Sequence, residues 1–267
     1  MQKIFWRDDQ RRQERVDVGG SWLQTAYFGY SRIQAADKAE LVRRHFNSVA
    51  QQYDFMNTLL SFGIHHLWKR AAVRMLALRA GDRVLDVCGG TGDLAILAAR
   101  AVGAFGKVMI YDINRAMIEA GLHKLTHSPL KNRIRHVQGD AQQLSFPDEY
   151  FNAAMVGFGI RNVTDMGQGF SEMHRVLKPS GKLMCLEFSK PTVPMFRCLY
   201  DLYSFYAMPL VGQLVAGNRK AYTHLPESIR TFPLPDELAT MLRQIGFGRV
   251  TYRRLTNGIA TIHLAEK

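Results

Sequence analysis

The sequence predicts an α/β protein: a mostly parallel sheet of seven strands whose last two form an antiparallel hairpin. Three observations carry that expectation. Between residues 83 and 188, short apolar runs alternate with helical stretches, and a parallel strand pair needs such a crossover between its members. The run Val84-Leu85-Asp86-Val87-Cys88 feeds straight into Gly89-Gly90-Thr91-Gly92, a strand–loop–helix junction. Near the end, Thr256-Asn257-Gly258 separates two apolar runs, and Asn-Gly in that setting is a strong hairpin signal.

Taken in order, residues 1–36 lack clean periodicity and carry Gly19-Gly20, so they read as an irregular arm ahead of a domain spanning 37–267. From Asp37 the pattern turns helical, with Leu41, Val42, His45, Phe46 and Val49 on one stripe; a second helix, Ile64 to Leu78, stops before Ala80-Gly81-Asp82. Residues 37–80 are thus a helical preface to the sheet. Strands follow at Arg83 to Cys88, Lys107 to Tyr111, 134–138, 152–157 and 182–188, with helices at Leu94 to Val102, Asn114 to Leu125 and Met166 to Leu177. Asp165, with Gln168 three residues on, has capping-box spacing for the last of these, and Pro179 and Gly181 end it. Residues 190–233, rich in Phe and Tyr, are too long for a simple connection and read as an insertion. A final helix, Asp236 to Ile245, stops at Gly246, and the strands Arg249 to Leu255 and Ile259 to Ala265 close the chain.

Composition narrows the function classes. With 267 residues, 47% of them hydrophobic and 22% charged, the chain buries a proper core and is not disordered as a whole. Its three cysteines have no CxxC or Cys/His spacing, which argues against a disulfide framework or a metal site; two lie in apolar runs, so buried thiols in a reducing compartment are expected. The N-terminus has no apolar signal core, and Leu202 to Asn218 is too short and polar to span a membrane, so cytoplasmic residence is expected, at most peripheral at the membrane's inner face. A net charge of +12 and a pI near 9.8 suit an anionic partner, but the basic residues are scattered and a solvated surface explains them equally.

The candidate site lies at the carboxyl ends of the first three strands. Gly90, Thr91 and Gly92 let the backbone approach a ligand and aim unpaired N–H groups at it. The loop alone also satisfies a loose dinucleotide fingerprint, so a nicotinamide cofactor and a merely structural turn both stay open. Asp86 separates the readings: a carboxylate there repels a pyrophosphate and suits a cationic ligand, although a capped loop accounts for it too. Asp112, closing the second strand, is placed to accept both ribose hydroxyls, which fits an adenosine ligand. After the third strand, Asp140 can accept from an adenine amino group while Ala141 offers its backbone N–H; a polar turn is the alternative. His65 and His66 are adjacent on a helix, so their side chains are expected to face different directions, without metal spacing.

The segments LDVCGGTGDLA, YDIN, GDAQQLSFP, GFGIRNVTD, VLKPSGKLMCLEFSKP and LPESIRTFP resemble the ubiquinone and menaquinone biosynthesis C-methyltransferase family, as do FNSVAQQYDFMNTLLSFGIHHLWKR before them and the closing hairpin. The likeness runs from about residue 43 to 267. It implies a class I S-adenosylmethionine-dependent methyltransferase fold, S-adenosylmethionine as cofactor, and cofactor contacts from Thr91, Asp112, Asp140 and Ala141. Where the family commonly has a serine before Phe-Gly, this chain has Gly157, which removes a hydroxyl. The implied reaction is C-methylation of a polyprenyl quinol, demethylmenaquinol or 2-polyprenyl-6-methoxy-1,4-benzoquinol. The family implicates Arg161 in deprotonating the ring hydroxyl; because arginine stays protonated, a phenolate-stabilising role is the better expectation, with Tyr53 and Asn162 orienting the ring. By analogy the aromatic insertion walls the substrate pocket, and peripheral contact with an anionic membrane and a homodimer are further expectations, with no nucleic-acid partner. The competing readings are a methyltransferase for RNA or another small molecule, which the charge would suit, and a non-catalytic cofactor-binding partner of a membrane assembly.

Overall fold

The computed structural model describes residues 25–267. Residues 1–24 of the expected irregular arm lie outside the described residues. The rest of that arm is not irregular: Thr25–Phe28 (β1) and Ser31–Gln34 (β2) pair as an antiparallel hairpin around Gly29, whose φ of +59° suits a glycine turn. The pairing was hard to read because each strand has four residues, too few to show an alternation.

Three helices precede the sheet: Ala35–Val49 (α1), Tyr53–Leu60 (α2) and Ile64–Leu76 (α3). Then strands and helices alternate: Arg83–Val87 (β3), Asp93–Ala101 (α4), Lys107–Asp112 (β4), Arg115–Leu125 (α5), Ile134–Gln138 (β5), Phe151–Gly157 (β6), Met166–Val176 (α6) and Leu177–Phe188 (β7). The Asp165 side chain accepts from the Gln168 N–H at 2.9 Å and so starts α6, while Asn114 does the same for α5 through Met117. The 190–233 region folds into Pro194–Leu202 (α7), one π-helical turn at Tyr203–Ala207, Met208–Ala216 (α8) and Arg219–Thr231 (α9). Pro235–Ile245 (α10), Val250–Leu255 (β8) and Ala260–Glu266 (β9) complete the chain.

The seven-stranded sheet runs β5-β4-β3-β6-β7-β9-β8; β9 is antiparallel to both neighbours and the other pairs are parallel. The expected α/β class, parallel body and closing hairpin are therefore all present. In the hairpin turn Thr256, Asn257 and Gly258 all take positive φ, which explains why that tripeptide sits there.

Strand alternation divides the core. Val84, Val108, Ile110 and Met155 face one layer with Trp68, Leu76 and Ala98; Leu85, Val87, Val156 and Cys185 face the other with Phe170, Met173, Leu238 and Leu242. The chain leaves β3 toward β4 and β5, then returns to β6 on the other side of β3. Order therefore reverses between β3 and β6, and the carboxyl ends there form a crevice where ligands of such sheets bind.

Candidate active site

Two cavities meet at that crevice. The first, about 1000 Å³ including its open mouth, is walled by the β3–α4 loop, the ends of β4 and β5, and the β6 segment from Gly157 to Gly159. Asp86, Gly90, Thr91, Asp112, Asp140 and Ala141 all line it, and Gly92 closes the loop beneath with φ +82°. The loop has no room for added side chains: a Cβ on Gly89 would sit 2.9 Å from the Asp86 carboxyl carbon, and one on Gly92 would sit 2.8 Å from Ile110.

The acidic side chains differ in state. Asp112 accepts from the N–H of Gly90 and that of Asn114, each at 2.8 Å; burial raises its pKa, and those two amides pull the other way. Its second lone pairs remain for a diol. Asp140 accepts from the Gln142 amide at 2.9 Å and from its side chain, so the Gln142 turn fixes its direction. Asp86 is fully buried, and neither oxygen receives a hydrogen bond of normal geometry from the described residues. Burial pushes its carboxyl up to about 8; the Ala95 amide offsets part of that, and the Asp112 carboxylate adds to it. A buried carboxyl group that the chain itself only weakly supports, beside a glycine cradle, fits a ligand that brings a cation, and S-adenosylmethionine brings both an amino group and a sulfonium.

Thr91 is placed on the cavity wall, but its hydroxyl is already engaged. It donates to Asp54 at 2.7 Å and accepts from Lys124 at 3.0 Å. Lys124 also bonds Asp93, which in turn holds Lys69 at 2.7 Å, so α2, α3, α4 and α5 are tied together under the loop. Burial opposes ionisation of Asp93, yet Lys69 and Lys124 hold it well below the usual carboxylate range. Sequence reasoning missed this network because its members are spread from residue 54 to residue 124. His65 and His66 do not diverge as expected: their rings lie 3.9 Å apart and both Nε2 atoms reach the Thr58 hydroxyl at 3.2 Å. The helix start at Gly63 gives the two neighbours a common target. Their ring nitrogens come within 4.8 Å of an Asp93 oxygen, but the two ammonium groups already on Asp93 repel any added cation.

The second cavity, about 1270 Å³ with its mouth, is aromatic. It lies between α1, α2, the Ile160–Asn162 turn, and the helices of the 190–233 region, with Tyr200, Tyr203 and Tyr222 in its wall. Phe46, Tyr53, Phe158 and Asn162 belong to both cavities, so the two chambers share a wall. Arg161 lines the second one. Its guanidinium donates to Glu187 at 2.9 Å and to the Phe158 carbonyl at 2.5 Å, while its Nε–H has no partner among the described residues. Glu187 is buried, which raises its pKa, and Arg161 counters that. Burial also raises the pKa of Tyr53 and keeps its hydroxyl a donor. Glu187 was overlooked in the sequence because it closes an apolar run, LMCLEF, with no motif around it to mark the acid. Of the cysteines, Cys185 is buried as expected, but Cys88 is half-buried in the cofactor cavity wall and Cys198 is exposed.

Comparison with known proteins agrees with this geometry. The ubiquinone/menaquinone biosynthesis C-methyltransferase of Francisella philomiragia is 44% identical over 244 residues, covering 91% of this chain and 98% of the relative. Its counterpart in Pseudomonas putida is 43% identical over 260 residues, covering 97% and 99%. Among solved structures, an S-adenosylmethionine-dependent methyltransferase from Aquifex aeolicus has a TM-score of 0.55 at 16% identity, covering 88% of this chain and 98% of its own. The Haemonchus contortus phosphoethanolamine N-methyltransferase 2, solved with S-adenosylmethionine, has a TM-score of 0.59 at 16% identity, covering 85% of this chain and 60% of its own. At such identities the structural likeness speaks for the fold. The description "ubiE/COQ5 methyltransferase family" matches residues 33–267, and with it the chain belongs to that family of S-adenosylmethionine-dependent methyltransferases.

Proposed function

We propose that this chain methylates a ring carbon of a polyprenyl quinol in ubiquinone or menaquinone biosynthesis, the activity named for its relatives. One observation carries the reading: a cradle suited to a cationic adenosyl ligand adjoins, across Tyr53, Phe158 and Asn162, an aromatic chamber suited to a flat ring with an apolar tail. S-adenosylmethionine supplies an electrophilic methyl carbon on its sulfonium when bound. The chain's work is then positioning and charge control. Asp112 holds the ribose hydroxyls, Asp140 and the Ala141 amide hold the adenine edge, Asp86 faces the cationic end, and Gly90, Thr91 and Gly92 shape the floor. In the chamber Arg161, held by Glu187, turns its remaining N–H groups toward the ring oxygen and stabilises the negative charge that makes the adjacent carbon nucleophilic. Tyr53 and Asn162, at the shared wall, orient the ring toward the cradle. Incubating the protein with labelled cofactor and a short-tailed demethylmenaquinol tests this. Label on the ring carbon is expected, and cofactor binding without transfer would instead mark a non-catalytic module.

The same reading places the enzyme against a membrane. Among the described residues no helix is long and apolar enough to cross one. Along Pro194–Ala216, however, Met195, Leu199, Leu202, Tyr206, Leu210 and Leu214 are exposed at three- and four-residue spacing, a single outward stripe. Phe55, Leu59 and Phe62 extend it from α2, and Phe62 also sits at the chamber wall. Exposed Arg219 and Lys220 flank the stripe and, with a net charge of +12, favour an anionic bilayer. A tail leaving the chamber there stays in lipid. Flotation with anionic vesicles is expected and should weaken with salt and with L199S/L210S; a homodimer that buries this face, seen by sedimentation together with failed flotation, would replace the membrane reading.

A further inference from the structure

The aromatic chamber contains a second pair of titratable side chains that the family motifs do not mark. His45, on α1, and His224, on α9, both line it, with ring centres 5.0 Å apart. Phe28, in the β1–β2 hairpin, stacks on His224 at 3.8 Å and meets His45 edge-on at 6.2 Å. The hairpin that sequence patterning did not reveal is therefore the back wall of this pair. The His224 Nε2 atom is buried and has no hydrogen-bond partner among the described residues. A neutral imidazole nitrogen held without a partner in a substrate cavity is costly unless something that enters the cavity bonds to it.

Resting on the quinol reading above, we propose that His224 Nε2 is the acceptor for the proton of the ring hydroxyl adjacent to the carbon that is methylated. Arg161 and His224 then serve one oxygen from two sides. The α9 helix packs against the Ile160–Asn162 turn, so the guanidinium donates to the oxygen while the oxygen's own proton points to the imidazole. The ring carbon forms a bond to the methyl group as the methyl–sulfur bond breaks. The hydroxyl proton moves to Nε2, and the oxygen takes up the double bond of a ring ketone. Loss of the hydrogen on the methylated carbon restores the aromatic ring, the oxygen regains a proton, and one proton is released overall.

The environment keeps both imidazoles unprotonated. Burial, His45, Arg161 and Lys38 together push His224 down to about 3, and burial with Arg161 takes His45 to about 4, so both stay neutral across the working pH range. Glu227, the acid one turn along the same helix, is directed at the Tyr30 amide in the hairpin. A base this weak would not ionise a free phenol. It serves a hydroxyl that Arg161 polarises and whose acidity climbs as the carbon–carbon bond forms, so that the proton leaves in the same step and the oxygen carries no net positive charge; the imidazole never arrives already protonated.

His224→Gln keeps an acceptor of similar reach but cannot take the proton. With the short-tailed demethylmenaquinol, it is expected to lower kcat roughly 10²–10⁴-fold, the usual range for removing a positioned base, with cofactor affinity and quinol KM within about threefold. His224→Ala should regain activity with added imidazole, to which the wild type is indifferent. A His224→Gln kcat within threefold of the wild type overturns the proposal, as does a loss that tracks thermal stability and is not rescued in the alanine variant. Failure of the wild type itself to methylate the quinol would instead overturn the proposed function.

Discussion

The two chambers are built on opposite plans. The cradle is a backbone structure: its floor is four consecutive residues, Gly89 to Gly92, and its acids sit at the tips of three neighbouring strands. The aromatic chamber is a side-chain structure, gathered from helices at 45, 53, 65 and 224, a turn at 161 and a strand at 188. Strand order alone brings the first set together, because adjacent parallel strands end at one edge. The second depends on how six separate elements pack. A fold that hosts many chemistries is expected to keep the first plan and vary the second.

If that division holds, damage to each chamber should be separable. Beyond His224, the largest effect is expected from Arg161→Lys. A lysine cannot reproduce the fork that serves Glu187, the Phe158 carbonyl and the ring oxygen at once. Turnover should fall roughly 10²–10³-fold, the cost typical of losing a charge-stabilising donor, while calorimetry shows unchanged cofactor affinity. Full turnover in that variant would remove Arg161 from the chemistry. Asp112→Ala should do the reverse. Two charge-assisted hydrogen bonds of about 1.5–3 kcal/mol each weaken cofactor binding about 100-fold or more, with kcat at saturating cofactor little changed. Unchanged cofactor affinity would take Asp112 out of the cradle.

Legibility from the sequence followed the same line. Asp86, Asp112 and Asp140 were placed by counting strands, and the sheet and its hairpin by period and turn chemistry, since those signals lie within ten residues of one another. His45 looked like one more member of the α1 stripe, and His224 lay inside a helix whose interior proline, Pro226, blurs the pattern. Phe28 had no visible context at all. Glu187 was hidden in an apolar strand, and the Asp54–Thr91–Lys124 contacts span turns of the chain that no local rule connects. What was lost was contact between distant segments, which a single sequence does not display.

Asp86 gives a sharper, pH-resolved test of the cradle. Its carboxyl stands at about 8 in the folded, cofactor-free protein against 3.8 for an unperturbed group. The neutral form is therefore favoured by folding, so the cofactor-free protein should lose stability as pH rises from about 4 toward 8, and Asp86→Asn should flatten that slope. Binding of a cationic ligand needs the carboxylate, so near pH 7 the wild type should release a proton on cofactor binding. Affinity should climb by at most about tenfold per pH unit until about pH 8 and then level off. Calorimetry in buffers of different ionisation heat reads both. No proton release, or an identical slope in Asp86→Asn, would break the link between the buried acid and the ligand.

The smallest effect is expected where the chain departs from its family, at Gly157. This residue sits at the end of β6 in the wall of the first cavity, where the family resemblance leads one to expect serine. A Cβ there would lie 2.5 Å from the Cδ1 of Leu94, on the first turn of α4. The obstacle is the tip of a flexible side chain rather than backbone, so Leu94 turns aside at the low end of the roughly 1–3 kcal/mol that overpacking costs. For a domain of this size each kcal/mol shifts the melting temperature by about 2–4 °C, so Gly157→Ser should melt only a few degrees lower. The added hydroxyl faces a cradle in which the acids are proposed to hold the ligand, and on that proposal cofactor affinity should change by less than about threefold, one neutral hydrogen bond at most. A tenfold gain would mean that the cradle of this chain lacks a contact it needs, and that the backbone plan alone does not suffice to hold the cofactor.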